Sequence, residues 1–205
     1  MSAEDLRRIE HEIALAASGF EILKKSSTLK DFTLAAELIR ETLNKGNKIL
    51  IAGNGGSAAD AQHIAGEFIV RLFPEERRGA LPAIALTTDS SVLTACANDL
   101  GFKYIFSRQI EALGTPGDLF WGISTSGSSE NILAAFETAK ARKMKTLLFK
   151  GPKKCPLKVD VCVSVPGNDT PTIQLYHLFF EHMAVKFATS TKAKTPHPPK
   201  GSTRR

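Results

Sequence analysis

Five short apolar runs, each separated from the next by a stretch with helical spacing, constrain this chain more than any other feature. Residues 48–52, 82–86, 119–123, 145–149 and 159–165 read as strands. Between them, residues 57–72, 90–98, 103–113 and 130–142 read as helices, and residues 171–188 as a long terminal helix. Strands that alternate with helices at this pitch form a parallel sheet, because each crossover returns the chain to the same sheet edge. Near-continuous apolar strands further require both faces to be covered. The expected fold is therefore α/β, a three-layer sandwich with a five-stranded parallel sheet flanked by helices.

Two helices precede the first strand. Residues 4–26 carry Leu6, Ile9, Ile13, Ala16, Ala17, Phe20 and Leu23 at helical spacing. A second helix is expected from Thr28-Leu29-Lys30-Asp31, a capping-box pattern, to near Gly46. A minimal sheet does not need these helices, so packing against another subunit is expected of them.

At 205 residues with 42% hydrophobic content, one domain with a sizeable core is expected, spanning residues 1–190. The net charge of +6 is uneven. Residues 191–205 contain Lys192, Lys194, Lys200, Arg204 and Arg205 and no acids, so the body is near +1 (6 − 5). Nucleic-acid binding by the body is not implied. With Pro196, Pro198 and Pro199 and few apolar residues, the tail is expected to be disordered. Cys96, Cys155 and Cys162 are odd in number and lack ligand spacing, which points to a reducing compartment. There is no signal-peptide pattern at Met1-Ser2-Ala3-Glu4-Asp5 and no apolar run of transmembrane length, so a cytoplasmic, membrane-free protein is expected.

Ligands of open parallel sheets bind at the carboxyl ends of the strands. Two polar loops follow strands there. The first is Gly53-Asn54-Gly55-Gly56-Ser57. Its glycines permit close approach of a ligand, and the following helix offers free N–H groups. It lacks the lysine of a Walker loop and the third glycine of a dinucleotide fingerprint. The same residues also suit a plain strand-to-helix turn with Ser57 as N-cap and Asp60 near N3. The second loop, Ser124-Thr125-Ser126-Gly127-Ser128-Ser129, provides five hydroxyls ahead of a helix. Converging small donors suit a phosphate, and with no Lys or Arg in the loop the anion would be held by dipoles.

The helix after the first loop carries His63 and Glu67 four residues apart, hence on one face. That pair can move protons or hold a metal. On the terminal helix, Gln174 and His182 lie eight residues apart, broadly on one face, and His177 with Glu181 forms a separate i, i+4 pair. A histidine on such a helix is otherwise an ordinary core or surface residue.

Jointly these segments resemble a known family. Gly53-Asn54-Gly55-Gly56-Ser57, Asp60, His63, Glu67, Asn98-Asp99, Ile123-Ser124-Thr125-Ser126-Gly127, Ile173-Gln174, His177 and His182 occur in the order seen in sugar isomerase (SIS) domains, specifically phosphoheptose isomerases. The resemblance spans about residues 40–186. It implies a Rossmann-like five-stranded parallel sheet and a homotetramer with active sites at subunit interfaces. It implies an aldose–ketose isomerase that converts sedoheptulose 7-phosphate to D-glycero-D-manno-heptose 7-phosphate, the first step of ADP-heptose synthesis for the lipopolysaccharide core. By the same resemblance, Glu67 and His182 are the catalytic acid/base pair. Asn54, Gly55, Gly56, Asn98 and Asp99 contact the sugar, with Arg71 and Gln174 as further contacts. Ser124, Thr125, Ser126 and Ser129 hold the phosphate, with Ser57 beside them. His63, Glu67, Gln174 and His182 form a Zn²⁺ site, one per subunit. The chain departs from many members at Gly66, where they carry an acid, at Thr172, where they carry Arg, and at Leu175, where they carry Glu.

Three other readings accompany this one. A non-catalytic member of the family, similar to an adaptor of the bacterial replication initiator, would lack the Glu and the second His; both are present here. A sugar-phosphate sensor would bind without turnover. The basic tail could bind nucleic acid weakly.

Overall fold

The computed structural model describes residues 2–190. The basic tail, with its expected disorder and weak nucleic-acid contact, lies outside the described residues.

Among the described residues, seven α-helices and five strands follow in the expected order. They are α1 (Ala3–Lys25), α2 (Thr28–Asn44), β1 (Ile49–Gly53), α3 (Gly56–Ile69), β2 (Ala83–Ala85), α4 (Ser90–Asp99), α5 (Ser107–Leu113), β3 (Leu119–Ser124), α6 (Glu130–Ala141), β4 (Lys145–Lys150), β5 (Val161–Ser164) and α7 (Thr170–Thr189). All strand pairs are parallel, and the spatial order is β2-β1-β3-β4-β5. The strand order reverses between β1 and β3, where Gly53 lies beside Ile123. The loops leaving these two strands diverge there and open the crevice in which such sheets bind ligands.

β1 and β3 are buried along their whole length. Successive residues point to opposite faces, so each strand feeds two cores. Ile49, Ile51, Trp121, Ile123, Leu147 and Phe149 pack with α2, α3 and α7. Leu50, Ala52, Phe120 and Leu148 pack on the other face with α5 and α6. Gly122 is required by that second core: a Cβ there would sit 2.7 Å from Phe136 of α6.

Two local expectations are corrected. Residues 28–31 form no capping box; Ser27 is the N-cap and makes no side-chain cap bond. Thr28 Oγ1 instead donates to the Ser164 carbonyl of β5 at 2.8 Å, a tertiary bond that competes with the local one. The capping box lies at the start of α1, between Ser2 and Asp5. The helix expected over 103–113 is divided into a 3₁₀ turn at Phe102–Tyr104 and α5. Along α1 only Gly19 and Leu23 are buried, and Leu6, Ile9, Ile13, Leu15 and Ile22 are exposed. No helix among the described residues is long and apolar enough to cross a membrane.

Candidate active site

The crevice is built from both loops and two helices. The first loop turns into α3 at Gly55, which has φ +56° and ψ −122°, a conformation that favours glycine. Gly55, not Ser57, is therefore the N-cap, and neither Ser57 nor Asp60 caps the helix as the plain-turn reading expects. The Ser57 side chain is buried in the first turn, packed on Gly53. Gly56 lies directly under the Gln174 amide: a Cβ at Gly56 would fall 2.8 Å from Gln174 Cδ and 2.9 Å from Oε1. The α7 glutamine thus covers the start of α3.

The second loop brings its hydroxyls together. Ser124 Oγ lies 3.4 Å from Ser126 Oγ and 3.2 Å from Ser129 Oγ, and it accepts the Gly127 N–H at 3.2 Å. The Thr125 carbonyl accepts from Gly151 N–H at 3.1 Å. Ser129 is the N-cap of α6 and makes no side-chain cap bond, so the helix start keeps free donors. Hydroxyls and helix N–H groups at this point suit a multiply charged oxyanion.

Asn131, in the first turn of α6, joins the two loops. Its amide and that of Asn54 exchange two hydrogen bonds, 2.9 Å and 2.8 Å. Asn131 Oδ1 also accepts the Ile132 N–H at 3.0 Å. Sequence reasoning missed this residue, because an asparagine in a helix start carries no signal of a partner 77 positions away.

Two turns along α3 the titratable cluster appears. His63 Nε2 lies 3.2 Å from Glu67 Oε1 and 3.0 Å from His182 Nε2 of α7. Of the two imidazoles, one must donate in that contact and the other accept. One ligand atom from each of the three residues lies within 4.8 Å of the others. Glu67 Oε2 is buried without a partner. Arg78 fixes the end of α3 beside it: Nη2 donates to the Glu67 carbonyl at 2.6 Å and Nη1 to the Phe68 carbonyl at 2.7 Å. This arginine was also missed, since it reaches α3 from a loop and holds it through backbone carbonyls.

Further acids sit on the same two helices. Burial raises the Asp60 carboxyl to about 6, opposed by the nearby His63. Glu181, fully buried, is raised well above the usual carboxylate range by burial and by Asp60. Burial lowers the His177 imidazole to about 4. His177 and Glu181 therefore share a helix face, as their spacing predicts, but lie buried with no partner for either ring nitrogen or either carboxylate oxygen.

Other expected positions lie apart. Asn98 donates to Asp99 at 2.8 Å at the exposed end of α4. Arg71, exposed after α3, donates to the Pro74 carbonyl at 2.8 Å.

Residues 20–150 match the SIS domain family. The chain is 48% identical over 185 residues to the phosphoheptose isomerase of Thermodesulfovibrio yellowstonii, covering 89% of this chain and 90% of that one. The chain belongs to the phosphoheptose isomerase family. Two solved structures agree. A phosphoheptose isomerase from Francisella tularensis superposes with a TM-score of 0.85 at 31% identity, covering 93% of this chain and all of that one. That of Neisseria gonorrhoeae gives 0.81 at 36% identity, covering 91% and 99%. The fold expected from the sequence is thereby borne out, and the adaptor and sensor readings are not favoured. The family match ends at residue 150, short of α7. Gln174 and His182 are brought to the site by the C-terminal helix packing back on α3.

Proposed function

We infer that the chain is an aldose–ketose isomerase that converts sedoheptulose 7-phosphate to the aldoheptose 7-phosphate, supplying heptose for surface glycans. The observation that carries this reading is the arrangement at the switch between β1 and β3: the Asn54–Asn131 amide pair ties the loop that opens α3, the helix of His63 and Glu67, to the helix that follows the hydroxyl loop.

The reaction moves a proton between C1 and C2 through a cis-enediol. One group must take the C–H proton while another serves the carbonyl and hydroxyl oxygens. We assign the first role to Glu67, whose Oε2 is unpartnered and therefore free to accept a proton. His182 takes the second role, its Nε2 held at 3.0 Å by His63. The loop residues Ser124, Thr125, Ser126 and Ser129 bind the phosphate, with Ser57 contributing through its backbone. Asn54, Gly55, Gly56 and Gln174 orient the sugar. We propose that Asn98, Asp99 and Arg71 complete the site in an assembly of several copies, since within one chain Asn98 bonds Asp99 and Arg71 bonds the Pro74 carbonyl.

The cluster also fits a zinc ion. Tetrahedral Zn²⁺ at about 2.0–2.1 Å from each nitrogen or oxygen ligand keeps those ligands about 3.3 Å apart. The separations of 3.0 and 3.2 Å around His63 are close to that, and all three ligand atoms lie within 4.8 Å of one another. His63, Glu67 and His182 would hold the ion, with Gln174 as the fourth ligand; when bound, it would polarise a substrate oxygen.

We propose a homotetramer. The exposed apolar stripe of α1 and the cleft of about 480 Å³ between α2 and α7, lined by Leu29, Phe32, Phe179, Met183 and Phe187, support it. Faces of that size on one chain are otherwise a solubility liability. A cytoplasmic location agrees with three unpaired cysteines.

The test is turnover of sedoheptulose 7-phosphate, with and without added Zn²⁺, followed by NMR. Glu67→Gln lowers kcat by about 10²–10⁴-fold while sugar-phosphate binding persists. A near wild-type rate in this variant refutes the assignment, and no product under any metal condition refutes the function.

A further inference from the structure

The hydroxyl loop contains no cation, yet a lysine is buried directly beside it. Lys150 ends β4, in register with Ser124 of β3 on one side and Ser164 of β5 on the other. It is only 9% exposed. Its Nζ donates to the Gly151 carbonyl at 3.0 Å, the Lys153 carbonyl at 2.9 Å and Ser164 Oγ at 3.0 Å. Three acceptors match the three hydrogens of an ammonium. None of the ion pairs among the described residues involves it. A buried charge is ordinarily paired, and this one has only neutral oxygens around it.

The stem of the same side chain supports the loop. Gly127 has φ +67°, and a Cβ built on it would lie 3.2 Å from Lys150 Cδ and 3.6 Å from Lys150 Cβ. The methylene chain therefore packs flat on the glycine that turns the hydroxyl loop. The next residue, Gly151, donates to the Thr125 carbonyl. Lys150 thus touches the loop through its stem, its strand register and its neighbour's backbone, while its charge lacks a counterion.

We propose that Lys150 is a positioning residue for the phosphate group: it sets the turn at Gly127 and supplies from below the fixed positive charge that the hydroxyl loop itself lacks. This rests on the reading of residues 124–129 as the phosphate site. The dianionic phosphate of the substrate completes the pairing that Lys150 does not find within the chain. The contribution falls on binding, since the charge lies at the phosphate end and not at the carbons that exchange the proton.

The test compares Lys150→Met, Lys150→Arg and Ser126→Ala with the wild type. Turnover of sedoheptulose 7-phosphate and competitive inhibition by inorganic phosphate are both measured. Lys150→Met is expected to raise KM and the phosphate inhibition constant about tenfold, about 1.4 kcal/mol. It should leave kcat within about twofold, the pattern of lost uniform binding. Lys150→Arg, which keeps the charge, should recover most of the loss. Should the Met variant not fold, Lys150→Gln removes the charge, keeps a donor toward Ser164, and carries the same measurement. If Ser126→Ala weakens phosphate inhibition and the neutral Lys150 variants do not, the proposal is overturned and the phosphate site stands. If neither change moves the inhibition constant, the phosphate-site reading fails and the proposal with it. A neutral variant that loses kcat at unchanged KM also overturns it.

Discussion

His177→Leu tests how strongly the α7 core resists charge. The imidazole is fully buried, 6.0 Å between centroids from Phe149, and neither ring nitrogen has a hydrogen-bond partner. Burial lowers its pKa from 6.5 to about 4, against a weaker upward pull from the Lys150 backbone that does not meet hydrogen-bond geometry. In the unfolded chain the same group takes its proton near pH 6.5. Between those two values the unfolded state binds a proton that the folded state does not, so stability falls as pH falls. The gap from 6.5 to about 4, at about 1.4 kcal/mol per pH unit, makes the full loss about 3 kcal/mol. Leucine has no such proton. Urea unfolding at fixed protein concentration, repeated from pH 7.5 to pH 4.5, reads the difference between the two proteins. The wild type should lose stability relative to the variant at up to about 1.4 kcal/mol per pH unit below pH 6.5. Glu181, also buried, is present in both and cancels in the difference. Parallel stability curves would refute the reasoning, because they would mean that His177 charges in the folded state as easily as in water.

Two further substitutions probe the crevice. Gly56→Ala should keep the fold, since alanine suits a helix start, but must displace the Gln174 amide from its place 2.8–2.9 Å away. KM should rise about tenfold with the melting temperature little changed, and an unaltered KM would remove Gln174 from the sugar contacts. Asn131→Leu breaks both amide bonds to Asn54 and leaves that amide short of partners, costing about 2 kcal/mol. The urea midpoint and kcat/KM should fall together; a stable variant with full activity would show that the two loops do not need this tie.

How far the chain could be read without coordinates differs from element to element. The five strands were legible because apolar runs of strand length bounded by Gly, Pro and Asp admit few other structures. The His63–Glu67 pair was legible because i, i+4 spacing is a property of any helix, whatever surrounds it. The same rule placed His177 and Glu181 on one face but said nothing of burial, and burial is what makes both groups resist ionisation. At Thr28 a local capping pattern was overridden by the Ser164 carbonyl, 136 residues away. Asn131, Arg78 and Lys150 each act through a contact that exists only once β1, β3, β4 and α3 have taken their places. The sequence by itself determined the layers, the strand-end loops and the chemistry available along each helix, since those follow from period and residue type. Tertiary structure alone decided which loops meet, which amide faces which, and which lysine is buried beside a loop of hydroxyls, because those depend on the order of strands in space and not along the chain.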